Sequence, residues 1–212
     1  MSTQAARVGA SAESVNRDEV LRAAALSFMR KGYSAASIDD VADLMGATKG
    51  RVYHYYRSKA DLFFDVHLEA MRLVVEAVRP LCAERGDPLQ RLQEMARAHV
   101  LVIMTRLPFQ RVAIQGLEMH LVGKTTPKQR SVLGRILRLR DEYEALFAAP
   151  LGQAMREGRI PLQDAGISVK AFLGALNWTT IWFHPRPRQS AAELERMADA
   201  IARFAVRGLG QP

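Results

Sequence analysis

The chain has 212 residues, of which 49% are hydrophobic, and its 30 basic residues outnumber 22 acidic ones to leave a net charge of +8. That hydrophobic fraction excludes a disordered chain, and a single cysteine, Cys82, excludes a disulfide framework or a cysteine-rich zinc site. No apolar run reaches the roughly 18 residues of a membrane span, and residues 1–16 contain no apolar segment typical of a signal peptide. We therefore expect a cytoplasmic protein, with no membrane partner, that binds an anion such as nucleic acid or a phosphorylated ligand.

The helical pattern begins after a polar stretch. Residues 1–16 are small and polar, which predicts a flexible N-terminal arm. Beyond them apolar residues recur at helical spacing and no stretch alternates with the period of a strand, so we predict an all-α fold of about nine helices. The first helix carries an apolar stripe formed by Val20, Ala24 and Phe28, and Gly32 is predicted to end it.

Two short helices follow, separated by a tight turn. Ser37, with Asp40 three positions later, is a helix-capping pattern, and the helix it opens is expected to run through Leu44. Gly46 stops that helix, and Thr48 is in position to cap a third helix over about residues 49–55. Helix, glycine turn and helix in this order predict a helix–turn–helix, which places its second helix in the DNA major groove.

The later helices are predicted from their boundary residues. Ser58 repeats the capping pattern and opens a long helix to about Pro80, and Asp87-Pro88 starts the next one. The last three helices are expected over about residues 127–157, 168–184 and 190–208.

The second helix of the helix–turn–helix is predicted to expose a cationic, hydrogen-bonding and aromatic surface. Val52 and Tyr56 are one turn apart and are expected to face the interior, which leaves outside Lys49, Gly50, Arg51, Tyr53, His54 and Tyr55. Glycine permits close approach of the backbone, arginine can bond to guanine, and the lysine and tyrosines carry groups that bind phosphate oxygens. This composition favours a DNA-binding surface over an ordinary polar helix of a bundle.

These residues resemble the tetracycline-repressor (TetR) family of bacterial transcription regulators. The resemblance covers about residues 17–65 and rests on Gly32-Tyr33, Ser37-Ile38, Val41-Ala42, Gly46, Lys49-Gly50, Val52-Tyr53, Tyr55-Tyr56, Ser58-Lys59 and Leu62. By position it implies phosphate contacts from Ser37, Thr48, Lys49, Tyr53, Tyr55 and Lys59, and base reading by Gly50, Arg51 and His54. Tyr56 departs from the family pattern, which often has phenylalanine there, and adds a hydroxyl group.

The same resemblance implies the organisation of the whole chain. Family members are homodimers with an N-terminal DNA-binding domain and a C-terminal domain for ligand binding and dimerisation. We therefore expect a flexible arm over residues 1–16, a helix–turn–helix domain over 17–62 and a ligand and dimerisation domain over 63–212. In such dimers the last two helices form a four-helix bundle between subunits, and the final helix has a matching apolar face of Leu194, Met197, Ile201 and Phe204.

The segment LNWTTIWFHP (176–185), together with RLRDEYE (138–144), resembles the acyl-CoA-responsive branch of the family. This implies a dimer on a near-palindromic operator, released when an acyl-CoA from lipid, steroid or aromatic-acid degradation binds. The predicted ligand residues are Arg135, Arg138, Phe147, Asn177, Trp178, Trp182 and Arg186. An apolar tunnel for the acyl group is predicted from Met95, Val102, Met104, Met119, Phe147 and Phe172, with the arginines holding the CoA phosphates. The two tryptophans fit an interface core equally well.

Two other functions remain open from the residues. A repressor of an efflux pump that responds to lipophilic drugs would share this architecture, although the excess of arginine favours an anionic ligand. An enzyme or a small-molecule carrier would need a titratable cluster, and the spacing of His67, His99, His120 and His184 indicates packed or surface side chains. We expect no catalytic residue, no metal ligand and no cofactor.

Overall fold

The computed structural model describes residues 3–84, 86–114 and 126–210, with side chains from residue 17 onward. Within these ranges all regular structure is helical, which confirms the predicted fold class. The helices are α1 (Thr3–Ala35), α2 (Ile38–Leu44), α3 (Lys49–Tyr55), α4 (Lys59–Cys82), α5 (Pro88–Thr105), α6 (Leu107–Ile114), α7 (Pro127–Arg156), α8 (Ala165–Asn177), α9 (Thr179–Trp182) and α10 (Ala191–Arg207). With the four-residue α9 taken as a continuation of α8, the described residues form nine helices.

The chain divides into two compact units. The first consists of Met1–Ala70 with Pro108–Gly134, and the second of Met71–Leu107 with Arg135–Pro212. All three divisions fall inside a helix: in α4, after the first residue of α6, and in α7. The predicted helix–turn–helix domain, residues 17–62, lies within the first unit, whereas the predicted boundary at residue 62 marks only the beginning of α4.

Aromatic packing around α4 forms the centre of the first unit. Phe28 of α1 packs edge-on against Phe63 of α4, with ring centroids 5.3 Å apart, and Tyr33 lies 4.6 Å from Phe63. Around this group α1 packs on α2 and α2 on α3, so that Val41 and Val52 are fully buried. The stripe predicted for α1 and the inward positions Val52 and Tyr56 are therefore buried, whereas Leu44 at the end of α2 is 41% exposed.

Local capping explains where the short helices begin and end. The Ser37 hydroxyl accepts a hydrogen bond from the Asp40 backbone N–H at 3.1 Å, and the Asp40 carboxylate accepts one from the Ser37 N–H at 2.8 Å. Lys31 also donates to Asp40 at 2.6 Å, and this bond, followed by those from Ser37, lowers the pKa of Asp40 to about 2. Gly46 has a φ of +59°, a left-handed conformation that side chains disfavour, and it forms the turn between α2 and α3.

In the second unit, α8, α9 and α10 pack against α5. Asp87 caps α5 through Leu89 N–H, with Pro88 in the first turn, as the sequence predicts. A capping box between Ser190 and Glu193 opens α10, whose inward face is lined by Ala198, Ala202, Ala205 and Val206. These small side chains allow α10 to approach α5 closely.

Two boundaries differ from those predicted. The backbone is helical from Thr3, whereas the sequence predicted a flexible arm over residues 1–16. The helix predicted from residue 168 begins at Ala165 instead, because the Asp164 side chain caps it through Ile167 N–H at 2.8 Å. It also breaks at Trp178 before α9.

Candidate nucleic-acid interface and ligand domain

The third helix leaves most of the predicted DNA-binding residues exposed around its single buried position, Val52. Val52 is fully buried and Tyr56 is 5% exposed, which holds the inner face of α3 against the unit. Most of the predicted DNA-binding residues of this helix and its N-cap are exposed, namely Thr48, Lys49, Gly50, Arg51, Tyr53 and His54, and Tyr55 is half-buried. Thr48 occupies the N-cap position, but its side chain makes no capping hydrogen bond. The structure therefore brings a cationic and aromatic surface onto a helix of two turns.

Tyr56 fixes the end of this helix through a polar contact. Its hydroxyl donates to Asp65 of α4 at 2.8 Å, and the same carboxylate oxygen accepts from Arg17 of α1 at 2.5 Å. Burial, followed by the bond to Asp65, raises the pKa of Tyr56 well above its ordinary value, so the hydroxyl remains a donor. A phenylalanine would pack in the same place without this link, which explains the tyrosine at this position.

The cations of α3 are paired with acidic side chains of the same unit. Lys49 lies 3.0 Å from Asp39 of α2 and 5.9 Å from the centroid of the Tyr53 ring. The hydrogen bond to Asp39, together with its charge, raises the pKa of Lys49. Arg51 lies 3.5 Å from Glu19 of α1. All four charged side chains are exposed to solvent, so the pairs can exchange for other partners.

Lys59, which was predicted to contact a phosphate, makes structural hydrogen bonds in the protein. Its ammonium donates to the carbonyl oxygens of Tyr33, Ser34 and Ala36 at 2.8, 3.1 and 2.8 Å. Those bonds use all three N–H groups of the ammonium and satisfy carbonyls at the C-terminal end of α1. The ammonium also lies 4.6 Å from the centroid of the Tyr33 ring. Sequence position alone could not show this, because the partners are more than twenty residues away.

A Lys59→Met variant should therefore have a lower free energy of unfolding, beyond any loss of affinity for phosphate. Loss of three charge-assisted bonds to carbonyls should cost about 1–3 kcal/mol in the free energy of unfolding. Urea denaturation followed by circular dichroism measures this difference. Lys49→Met is the matched control, because the exposed Lys49 pairs only at the surface and should change stability little. Equal stability of the two variants would contradict the role assigned to Lys59.

A buried hydrogen-bonded network of three side chains lies in the second unit. His99 of α5 is 3% exposed, with Nδ1 2.7 Å from the Tyr143 hydroxyl and Nε2 3.1 Å from the Asn177 amide oxygen. The amide oxygen only accepts, so Nε2 carries the proton and Nδ1 accepts from the tyrosine. Burial lowers the pKa of His99 to about 4, opposed by the bond to Asn177, so the ring is neutral. The sequence indicated only a packed histidine here.

Two of the predicted ligand residues belong to or pack against this network, namely Asn177 and Phe147. Asn177 bonds to His99, and the Phe147 ring lies 5.5 Å from Tyr143 and 5.9 Å from Phe172. Of the residues predicted for an apolar tunnel, Met95, Met104, Phe147 and Phe172 are buried and Val102 is half-buried; Met119 lies outside the described residues, as does His120. The other predicted ligand residues are exposed: Arg135, Arg138, Trp178, Trp182 and Arg186. The Trp178 and Trp182 side chains are 63% and 43% exposed.

Other kinds of site receive no support from the described part of the chain. No three acidic, histidine or cysteine side chains there lie close enough to hold a metal ion. None of the helices in the described ranges is both long enough and apolar enough to cross a membrane.

A helix–turn–helix with an exposed cationic second helix, followed by a helical domain, defines a DNA-binding transcription regulator. Residues 20–66 match the family model for bacterial regulatory proteins of the tetR family, and residues 85–209 match the tetracyclin repressor-like C-terminal domain. The chain therefore belongs to the TetR family, which confirms the resemblance noted in the sequence.

Similar proteins of this family have been characterised or solved. The transcriptional repressor KstR2 of Mycobacterium tuberculosis is 23% identical over 195 residues, covering 87% of this chain and 90% of the relative. The structure of the TetR-family regulator PfmR from Thermus thermophilus has a TM-score of 0.74 at 29% identity, over 91% of this chain and 99% of that one. AibR, solved with isovaleryl coenzyme A and operator DNA, has a TM-score of 0.70 at 24% identity, over 89% of this chain and 97% of that one. These relatives are transcription regulators.

Proposed function

We propose that the protein is a dimeric repressor that binds a near-palindromic operator through α3 and leaves it when an acyl-CoA thioester binds. The observation that carries the DNA-binding half of this proposal is the exposed surface of α3. Gly50, Arg51 and His54 read base edges, and Lys49, Tyr53 and Tyr55 grip the phosphates.

Two residues before the recognition helix complete the proposed phosphate contacts. The exposed Thr48 hydroxyl is not used in capping, so it is available to a phosphate oxygen. Ser37 is half-buried and its hydroxyl accepts from Asp40 N–H, which leaves the hydroxyl proton for a phosphate oxygen of the backbone.

The proposed role of Arg51 can be tested with an operator selected from a random DNA library. Arg51→Ala should cost about 1–3 kcal/mol of operator affinity and relax the preference at one base pair of each half-site, because a bidentate guanine contact is lost. Fluorescence anisotropy with the operator and with single-base variants measures both effects. Arg72→Ala on α4 is the control, since Arg72 pairs with Glu76 in the next turn of its own helix. Unchanged affinity and base preference in Arg51→Ala would show that α3 does not read the bases.

The proposed dimer is supported by exposed apolar side chains near the C-terminus. Ile167, Trp178, Ile181, Trp182 and Phe204 range from 43% to 74% exposed, although they are large and apolar. Such a surface is typical of protein–protein contacts. One α3 helix covers too few base pairs for a specific site, and a two-fold dimer supplies a second helix to a near-palindromic operator. We thus assign the two tryptophans to the subunit interface, including the part of it that lies next to the bound ligand.

An acyl-CoA effector is supported by the composition of the second unit. The buried aromatic and methionine side chains suit an acyl or ring moiety, and the exposed Arg135, Arg138 and Arg186 suit the CoA phosphates. Near the end of α8 the half-buried Asn177 amide is held by His99, and the buried Thr179 hydroxyl has no hydrogen-bond partner among the described residues. These groups are available to a polar atom such as the thioester oxygen. The AibR complex holds isovaleryl coenzyme A, and KstR2 is described as a ketosteroid regulator.

Effector binding should release the protein from DNA by favouring a dimer whose recognition helices have the wrong spacing. A preference of about 100-fold for that conformation, or about 2.7 kcal/mol, is sufficient for a repressor near its working concentration. Short, long, aromatic and steroid-derived CoA thioesters should change tryptophan fluorescence and displace the selected operator. Arg138→Ala should weaken the response to a thioester more than the response to the free acid.

The same assay separates the acyl-CoA proposal from its alternative. Response to cationic lipophilic dyes, with none to any thioester of the panel, would support a drug-responsive repressor of an efflux pump. The DNA-binding proposal does not depend on this outcome, because operator binding is measured without an effector.

A further inference from the structure

Each of the two cations expected to meet DNA is already paired with a carboxylate. The Lys49 ammonium contacts Asp39 at 3.0 Å, and the Arg51 guanidinium contacts Glu19 at 3.5 Å. The acids come from α2 and α1, so both pairs depend on the folding of the helix–turn–helix and not on neighbouring positions in one helix. A carboxylate beside a DNA-binding cation repels the phosphates and competes for the same N–H groups.

Building on the DNA-binding surface proposed above, we propose that Glu19 and Asp39 compete with DNA for the cations of α3, and that they hold its affinity for the operator below what the cations alone would give. Arg51 leaves Glu19 when a guanine offers two acceptors in the correct geometry. On other sequences no such acceptor pair is present, so Arg51 remains with Glu19, and the cost of separating the pair falls on operator binding.

The two acids are expected to have different consequences because their partners have different tasks. Lys49 is assigned to a phosphate, which every sequence offers equally, so Asp39 lowers affinity for operator and for other DNA alike. Arg51 is assigned to a base, so the cost of separating it from Glu19 arises mainly on the operator. Glu19 therefore weakens operator binding in particular, whereas Asp39 weakens binding to all DNA.

The test measures dissociation constants for two duplexes of about 30 base pairs, long enough for two half-sites with flanking DNA: the selected operator and a mixed-sequence duplex. Glu19→Gln should tighten binding to the operator about two- to fivefold, with a smaller gain on the mixed-sequence duplex. Asp39→Asn should tighten both by a similar factor, about two- to fivefold. Asp43→Asn is the matched control, since this exposed carboxylate lies one turn from Asp39 on α2 and its loss changes the net charge equally. Its effect should be smaller than that of either paired acid.

Double variants then show whether each acid acts through its cation. The gain from Glu19→Gln should disappear in an Arg51→Ala background, and that from Asp39→Asn in a Lys49→Gln background. Gains that persist in these backgrounds, or that Asp43→Asn reproduces, would overturn the proposal and leave only an effect of net charge. If Arg51→Ala and Lys49→Gln themselves leave DNA binding unchanged, the surface proposed for α3 is wrong and the competition is overturned with it. Weakened binding by those two variants, with no gain from either acid variant, would overturn the competition alone.

Discussion

Replacing Phe204 with glutamate should split the proposed dimer and abolish tight operator binding. Phe204 is 74% exposed on α10, while the opposite face of that helix is buried against α5. Covering a phenylalanine with a second subunit contributes about 1.5–3 kcal/mol, and a two-fold interface contains the residue twice. The two substitutions remove about 3–6 kcal/mol of this stabilisation, and burying the two introduced carboxylates is itself unfavourable. The dimer dissociation constant should therefore rise at least about a hundredfold.

Sedimentation at micromolar concentration measures the assembly, and anisotropy measures operator binding by the same sample. Ile201 lies on the same helix but is half-buried within one chain, so Phe204 is the cleaner position for a charge. Leu162→Glu is the control, because Leu162 is 89% exposed in the connection between α7 and α8. A Phe204→Glu protein that remains dimeric and binds the operator as tightly as the unmodified chain would place the interface elsewhere.

Acidification should destabilise the second unit through His99. The folded ring has a pKa of about 4 against an ordinary value of 6.5, because burial disfavours its charged form. Between these two pH values the unfolded chain binds a proton that the folded chain does not, so stability rises with pH through this window. The His99 contribution to stability is complete above pH 6.5 and is lost progressively as the pH falls. At pH 4 the loss of unfolding free energy reaches about 3 kcal/mol.

The contribution of His99 is isolated by comparison with His99→Gln, which keeps a polar side chain but does not titrate. The difference in unfolding free energy between the two proteins should change by about 3 kcal/mol between pH 6.5 and 4. A difference that is flat over this window would show that the ring is not held neutral. As an independent measurement, nuclear magnetic resonance should show the folded His99 ring unprotonated at pH 5.5, whereas an accessible histidine is largely protonated there.

The positions of helix ends were the features most readily predicted from sequence. Ser37, Gly46, Asp87 and Ser190 act on backbone groups within three residues or through their own φ angle, so a short stretch of sequence contains the cause. The buried faces of α1 to α3 were predictable for the same reason, since helical periodicity follows from 3.6 residues per turn. Asp164 shows the limit, because its capping role was missed and α8 was placed three residues late.

The composition of α3 determined the class of protein. Cations, tyrosines and a glycine on the outer side of a short helix after a glycine turn indicate DNA binding, and nothing beyond residues 37–59 was needed to recognise it. By contrast, which of these groups is available depends on residues distant in the chain. Lys59 is used by carbonyls more than twenty positions earlier, and Arg51 meets Glu19 across 32 positions.

What only the tertiary structure decided is therefore the set of side-chain partners. The sequence alone determined an all-α chain with a helix–turn–helix, because secondary structure and its capping depend on local backbone geometry and on periodic burial. It did not reveal that Tyr56 bonds to Asp65, that His99 joins Tyr143 to Asn177, or that Trp178 is exposed. These pairings arise when helices from distant parts of the chain pack, and a hydrogen bond a few tenths of an ångström too long is lost, so composition and spacing carry no information about them.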